Sequence, residues 1–295
     1  MKVLITGTNG FIGKTLYENL SKVFEIDSLN KTFNSESNNP SSIVCDLSLE
    51  EDLNKIHKKY DLVIHLAAYS KVEDITFKDS VYEQVNFLGT KNLLKKIISN
   101  GTKRIIFISS SNVYEKSQGA LSESSNLNAT NSYEQSKKLC EELLYENKDK
   151  IQTCILRIPL VYGKRSKSFL KSLNSLILLN IPLPFLGFEK KRSYISLQNL
   201  VSVINFFVNK DWRGLDSFNV FNCSDDHDMS FSELIYFLGS EQSKKTKLFY
   251  LNPLFLKFLF HLIKMDKQFE FIDTAQQLDI SLLKKLGWKP FRRQF

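Results

Sequence analysis

The sequence is poor in residues that cross-link or ligate. Its four cysteines, Cys45, Cys140, Cys154 and Cys223, lie far apart, and its four histidines are equally scattered. No pair has the close spacing of a zinc site, so a reduced, cytoplasmic chain without structural metal is expected. Nor does a secretory leader read from "MKVLITGTNG", which runs directly into an apolar strand with no charged region or small-residue cleavage site. Secretion is not expected. The longest strongly apolar stretch, "LNPLFLKFLFHLIK" from Leu251, is interrupted by Lys257 and His261 and is too short to span a bilayer. It reads as a buried or interface helix ahead of a membrane-surface one, with no insertion into a membrane. Nor is there a long basic tract. The net charge of +8 comes from small clusters such as Lys95-Lys96, Lys164-Arg165 and Lys190-Lys191-Arg192, which marks a solvated surface or suits a polyanionic small substrate. No nucleic-acid-binding module accompanies it.

What is present is a globular chain of 295 residues, 42% hydrophobic, long enough for one large core or two smaller ones. Short apolar runs alternate with longer amphipathic ones as far as Arg157. The runs "KVLIT", "FEIDSLN", "SSIVCD", "DLVIHLA", "KRIIFISS" and "IQTCILRI" are each almost continuously apolar, as strands covered on both faces must be. Stretches such as "FIGKTLYENLSK", "SVYEQVNFLGTKNLLKKIISN" and "SYEQSKKLCEELLYENK" separate them as helices. The expected fold is α/β: a Rossmann-type doubly wound parallel sheet in residues 1–162, followed by a smaller α/β domain in 163–295. The Asn- and Ser-rich stretch Asn30–Ser42 is the expected floppy loop.

The first strand leads into "GTNGFIG", Gly7 to Gly13, which opens the first helix. Glycines at Gly7, Gly10 and Gly13 permit a tight turn and let backbone N–H groups and the helix start, with Phe11 and Ile12, face a pyrophosphate. The adenosine ribose should lie at the end of the second strand. If that strand ends at Asn30, followed by Lys31, a basic residue favours the 2′-phosphate of NADP(H) over NAD(H); a strand ending at Asp27 would reverse the preference. The fourth strand ends in Leu66, Ala67 and Ala68, small residues suited to lie beside a cofactor, while His65 reads as a core histidine.

The fifth strand ends "FISSSNVY" and delivers hydroxyls to the carboxyl edge of the sheet, where ligands of such sheets bind. About twenty residues later Tyr133 and Lys137 stand one helical turn apart. A free phenol titrates too high to act as a base at neutral pH, and a neighbouring ammonium favours the phenolate. Tyr133 could then exchange a proton with a carbinol while a nicotinamide exchanges the hydride, with Ser110 hydrogen-bonding the oxyanion.

With "GTNGFIG", "CDL" at 45–47, "HLAA", "VNFLGTKNLL", "SSSNVY", "YEQSK", "LRIPLVYG", "RSYISLQNLV" and "LDISLLKKLGWKP" in this order, the chain resembles the extended short-chain dehydrogenase/reductase family of nucleotide-sugar epimerases, dehydratases and reductases. The resemblance implies Ser110, Tyr133 and Lys137 as catalytic residues, Asp46 and Leu47 beside the adenine, Pro159 in the cofactor site, and Arg192 on the substrate diphosphate. Where 4,6-dehydratases of the family carry Asp-Glu after the catalytic hydroxyl, this chain has Ser111 and Asn112. These positions are expected to face substrate, and dehydration is disfavoured. The segments "RIPLVYG", "PLPFLG" and "RSYISLQNLV" resemble a bacterial subgroup of UDP-sugar 4-epimerases and 4-ketoreductases of surface-polysaccharide synthesis. A 4-ketoreductase is placed ahead of a 4-epimerase with bound NAD, and both ahead of a non-catalytic NADP sensor. A homodimer through the helices near Ser80 and Ser132 is what the family implies; Leu93, Leu94, Leu139 and Leu143 permit it, and core packing explains the same residues equally well.

Overall fold

The computed structural model describes residues 1–33, 41–70, 80–116, 119–163 and 169–291. Residues 34–40 of the expected Asn30–Ser42 loop lie outside the described residues, as do Lys164 and Arg165. Seven strands, β1 (Lys2–Thr6), β2 (Glu25–Asn30), β3 (Ser42–Val44), β4 (Leu62–His65), β5 (Arg104–Ser110), β6 (Gln152–Ile158) and β7 (Phe218–Asn222), make one parallel sheet. Their order is β7-β6-β5-β4-β1-β2-β3. The direction of winding reverses between β1 and β4, and such a switch opens a crevice at the carboxyl ends of the strands. The helices are α1 (Phe11–Leu20), α2 (Gly89–Ser99), α3 (Ser132–Glu146), α4 (Phe169–Leu178), α5 (Leu197–Asn209), α6 (Phe231–Glu241), α7 (Pro253–Leu262), α8 (Asp266–Ile272) and α9 (Ser281–Lys285).

The continuous apolar strands are explained by burial on both sides. Val3 and Ile5 join Leu16, Ile106, Ile108, Leu156, Leu200 and Ile204 on the face covered by α1 and α5. Leu4, Val63, Ile105, Phe107 and Ile155 pack with Leu93, Leu94 and Leu144 on the face covered by α2 and α3. Alternation along each strand sends neighbours to opposite cores, and each fully buried aliphatic side chain contributes about 1.5–3 kcal/mol. Of the two roles open to these leucines, core packing holds for Leu93 and Leu94; Leu139 is exposed and Leu143 half-buried.

After residue 163 the chain first builds a separate core, in which Leu170, Leu173, Phe185, Phe188, Phe231, Leu234, Phe260 and Phe269 pack together. It then returns to the large sheet. β7 pairs with β6, α5 lies over α1, and Leu283 and Trp288 close the same core. α7, expected to be buried or at an interface, is buried only along Leu256 and Phe260. Among the described residues no helix is long and apolar enough to cross a membrane.

Candidate active site

The glycine loop joins β1 to α1 at the switch point. Gly7 has φ +78°, and a Cβ there would lie 2.9 Å from the Ala67 backbone. A Cβ on Gly13 would lie 2.2 Å from the Gly7 carbonyl oxygen, so both positions need glycine. α1 begins at Gly10 without a side-chain cap, and Phe11 and Ile12 form its first turn. Its leading N–H groups are thus turned to the crevice, as a pyrophosphate requires. The cradle fits a dinucleotide because the close backbone approach leaves no room for side chains there.

β2 ends at Asn30, not Asp27. The Asn30 amide donates to Thr8 Oγ1 at 2.7 Å and accepts from the Asn9 N–H at 2.9 Å, bracing the glycine loop. Asp27 faces the opposite core, where it accepts from Tyr60 and pairs with Lys58. Lys31 lies 2.6 Å from Asp46. Burial alone would raise the Asp46 carboxyl, but Lys31 and Ser48 hold it below its usual range. Leu47 lies beneath the start of α2, its carbonyl accepting from Asn92. Leu66 and Ala67 donate their N–H groups to Thr6 Oγ1, which fixes the loop that carries Ala68. Pro159 is buried just beyond β6. His65 is buried between Thr6 and Thr90, and burial lowers its pKa to about 3. It is a neutral core residue.

The three successive serines have three destinations. Ser109 faces α3 and donates to Glu141 at 2.5 Å. Ser110, at the strand end, accepts from the Asn112 N–H and is hydrogen-bonded to the Tyr133 phenol. Ser111 turns to Gln276, which bonds it twice. Strand alternation followed by a 3-10 turn separates them, so only Ser110 meets Tyr133.

Tyr133 is placed by the start of α3. Asn131 and Glu134 form a reciprocal capping box that fixes this start. Ahead of α2, a π-helical stretch, Glu83–Leu88, carries Asn86, whose amide ties Tyr69 to Ser136 of α3. Burial pushes the Tyr133 phenol up to about 12, opposed by its bond to Ser110. Lys137 donates to the Ile108 carbonyl at 2.8 Å and lies 4.7 Å from the Phe107 ring centre; burial lowers it to about 8. The lowering of the Tyr133 phenol expected from Lys137 is not among the influences on it here. The Lys137 ammonium is held instead on the Ile108 carbonyl of β5, and burial favours the protonated phenol of Tyr133, which can donate.

Beside this triad lies a cavity of about 390 Å³, lined by Asn112, Tyr114, Thr130, Glu134, Arg192 and Gln276 among others. Arg192 is buried, with Nη1 donating to the carbonyls of Phe271 and Thr274 and Nη2 to Gln276 Oε1. Its guanidinium stacks 4.2 Å from the Phe271 ring centre. Three of the five N–H donors of an arginine are so engaged, leaving two for a ligand among the described residues. Sequence reasoning missed Gln276, which joins Ser111 to Arg192 from far along the chain with no local signal. It also missed the Asn131–Glu134 box, which "NSYE" spells out. Among the described residues no group of His, Cys, Asp and Glu could hold a metal.

Comparisons with known proteins agree with this architecture. The chain is 31% identical over 98% of its length to a UDP-glucose 4-epimerase of Vibrio cholerae, covering 90% of that protein. It is 28% identical, over 82% of its length and 73% of the relative's, to an N-acetyl-alpha-D-glucosaminyl-diphospho-ditrans,octacis-undecaprenol 4-epimerase of Escherichia coli O157:H7. Its fold superposes on the solved Thermus thermophilus UDP-glucose 4-epimerase complex with NAD with a TM-score of 0.78 at 19% identity, covering 98% of this chain and 94% of the other. The model of the NAD dependent epimerase/dehydratase family matches residues 3–222, and the chain belongs to that family.

Proposed function

We propose that the protein is an NAD(P)-dependent enzyme that transfers hydride to or from C4 of a UDP-hexose. The observation that carries this reading is the convergence of Ser110, Tyr133 and Lys137 at the carboxyl edge of the sheet, between the glycine cradle and the cavity. A nicotinamide dinucleotide in the cradle would supply or accept the hydride. Tyr133 holds the proton that a carbonyl oxygen gains, or takes it back from a carbinol. Ser110, oriented by the Asn112 N–H, offers its hydroxyl to the oxyanion. Arg192 presents its two remaining donors to a diphosphate, the planar charge-assisted geometry that guanidinium favours. Ser111 and Asn112 carry no acid or base, so water elimination from the sugar has no proton carrier at these positions.

Two versions of the reaction have separate support. The end of β2 offers no free carboxylate to a ribose, since Asn30 is an amide and Asp27 is turned away and engaged by Tyr60 and Lys58, and Lys31, now paired with Asp46, is the cation that would turn to a 2′-phosphate. This favours NADP(H) and a 4-ketoreductase. The full-length relative named UDP-glucose 4-epimerase favours NAD held through each turnover. A second copy of the chain is the expected partner, through the helices near Ser80 and Ser132, on the second of which Leu139 is exposed. The test is to denature protein purified without added nucleotide and identify what is released. Stoichiometric NAD selects the epimerase; empty protein that binds NADPH better than NADH selects the reductase. Tyr133→Phe should lower turnover at least about 100-fold with unchanged cofactor affinity. Retained turnover in that variant would sink the reading.

A further inference from the structure

α7 is an amphipathic helix mounted with its wrong side out. Leu256 and Phe260 hold it to the second core, while Leu254, Phe255, Phe258 and Leu262 on the opposite side are 52% to 78% exposed. At 100° per residue these four occupy one continuous arc, flanked on one edge by Lys257 and His261, with Lys264 just past the helix end. The patch continues into the short strand Leu248–Tyr250, whose Tyr250 sits opposite Leu186, both exposed. From Lys244 to Lys267 the chain carries Lys244, Lys245, Lys247, Lys257, Lys264 and Lys267 against Asp266 alone. Lys257 and Lys264 have no carboxylate partner among the described residues. α7 packs on α8, and α8 supplies Lys267, Gln268, Glu270 and Phe271 to the wall of the cavity.

We infer that the α7 face docks the protein on an anionic membrane surface, with the cavity beside the lipid headgroups. Leucine and phenylalanine side chains enter the headgroup–acyl boundary, and lysines at the rim meet lipid phosphates, the arrangement by which interfacial helices bind. Lysine stems extend along apolar surface while their ammonium groups stay with the phosphates. Charge argues for this occupant over a second copy. A twofold contact through α7 would set two sets of the same lysines against each other, whereas an anionic bilayer neutralises them. A ten-residue helix is far too short to span, so the contact is peripheral. The inference does not depend on the reaction proposed above.

The test is flotation of the full-length protein with vesicles of phosphatidylcholine alone and with vesicles of equal parts phosphatidylcholine and phosphatidylglycerol. Binding to the anionic vesicles, weakened by added salt, is expected, with little to the neutral ones. The variant Leu254→Ser/Phe258→Ser should bind at least about tenfold more weakly, since two insertable apolar side chains are gone. Its thermal unfolding midpoint should match or exceed that of the wild type, because both side chains are exposed, so a folding defect is separable from lost docking. Wild-type protein that stays with neither vesicle, or a variant that floats equally well, overturns the inference. So does a solution dimer that this same variant converts to monomer, because the face would then belong to a second copy.

Discussion

The ion pair behind the active site allows a quantitative test. Arg157 of β6 and Glu141 of α3 are both buried and approach to 2.6 Å, with the Arg157 Nε also bonded to both carboxylate oxygens. Ser109 donates to the same carboxylate, and the guanidinium lies 4.7 Å from the Tyr114 ring centre. Burial alone would lower the Arg157 pKa, yet the bonds and charge of Glu141 raise it above its ordinary value. Arg157→Met would leave a buried carboxylate with a serine hydroxyl for company. Breaking such a pair from one side costs about 3–5 kcal/mol, whereas replacing both partners with apolar groups of similar volume is often near neutral. We expect Arg157→Met to lower unfolding free energy by about 3–5 kcal/mol in urea titration. The double variant Arg157→Met/Glu141→Met should recover most of that loss, leaving the Ser109 hydroxyl to find another partner while Tyr114 keeps its bond to Asn222. A single variant costing under about 1 kcal/mol, the value of an exposed pair, would refute the reasoning. A double variant at least as unstable as the single one would refute it equally.

Gly13→Ala forces a Cβ to within 2.2 Å of the Gly7 oxygen, so the cradle must deform. NADPH or NADH affinity, followed by nucleotide fluorescence, should fall at least about tenfold, and unfolding free energy should drop by about 1–3 kcal/mol, as overpacking does. Lys137 is lowered to about 8 by burial from its usual 10.5, so the folded chain binds fewer protons than the unfolded one between those values and stability from this group rises with pH across that window. Lys137→Met should therefore be more stable than wild type at pH 7 without cofactor, with the gap closing toward pH 10; a gap that does not change with pH would count against the buried ammonium. His65, lowered to about 3, acts at the other end: its neutral form contributes stability above pH 6.5 that is lost as pH falls toward 3. His65→Gln should flatten the acid limb of a stability–pH curve, and an unchanged limb would show that His65 is not titrating there.

The parts of the site legible in sequence are those encoded locally. β1, β4 and β5 could be read because strands buried on both faces are almost continuously apolar, and the glycine loop because Gly7 and Gly13 have no tolerable substitute. Tyr133 and Lys137 were legible as a pair because one helical turn separates them. What could not be read is long-range. β7 enters the sheet beside β6 some sixty residues later, and nothing in "FNVFN" distinguishes it from a strand of the second core. Glu141, Arg157, Tyr114 and Asn222 each look like surface residues by type until the register brings them together: Arg157 stands opposite Ser109 on one side and Asn222 on the other. Lys137 illustrates the same limit within the triad itself. Its spacing from Tyr133 was correct, but where its ammonium rests depends on the Ile108 carbonyl, a backbone group that one sequence never shows. α7 is only half legible, because a buried or interface helix is what its sequence predicts and which side is covered is not. Its apolar content is ordinary for a core helix, and only the exposure of Leu254, Phe258 and Leu262 separates a helix that packs from one that offers its face to something outside the chain. Hydrophobicity specifies that a surface is to be covered; the partner that covers it is specified by the lysines around it.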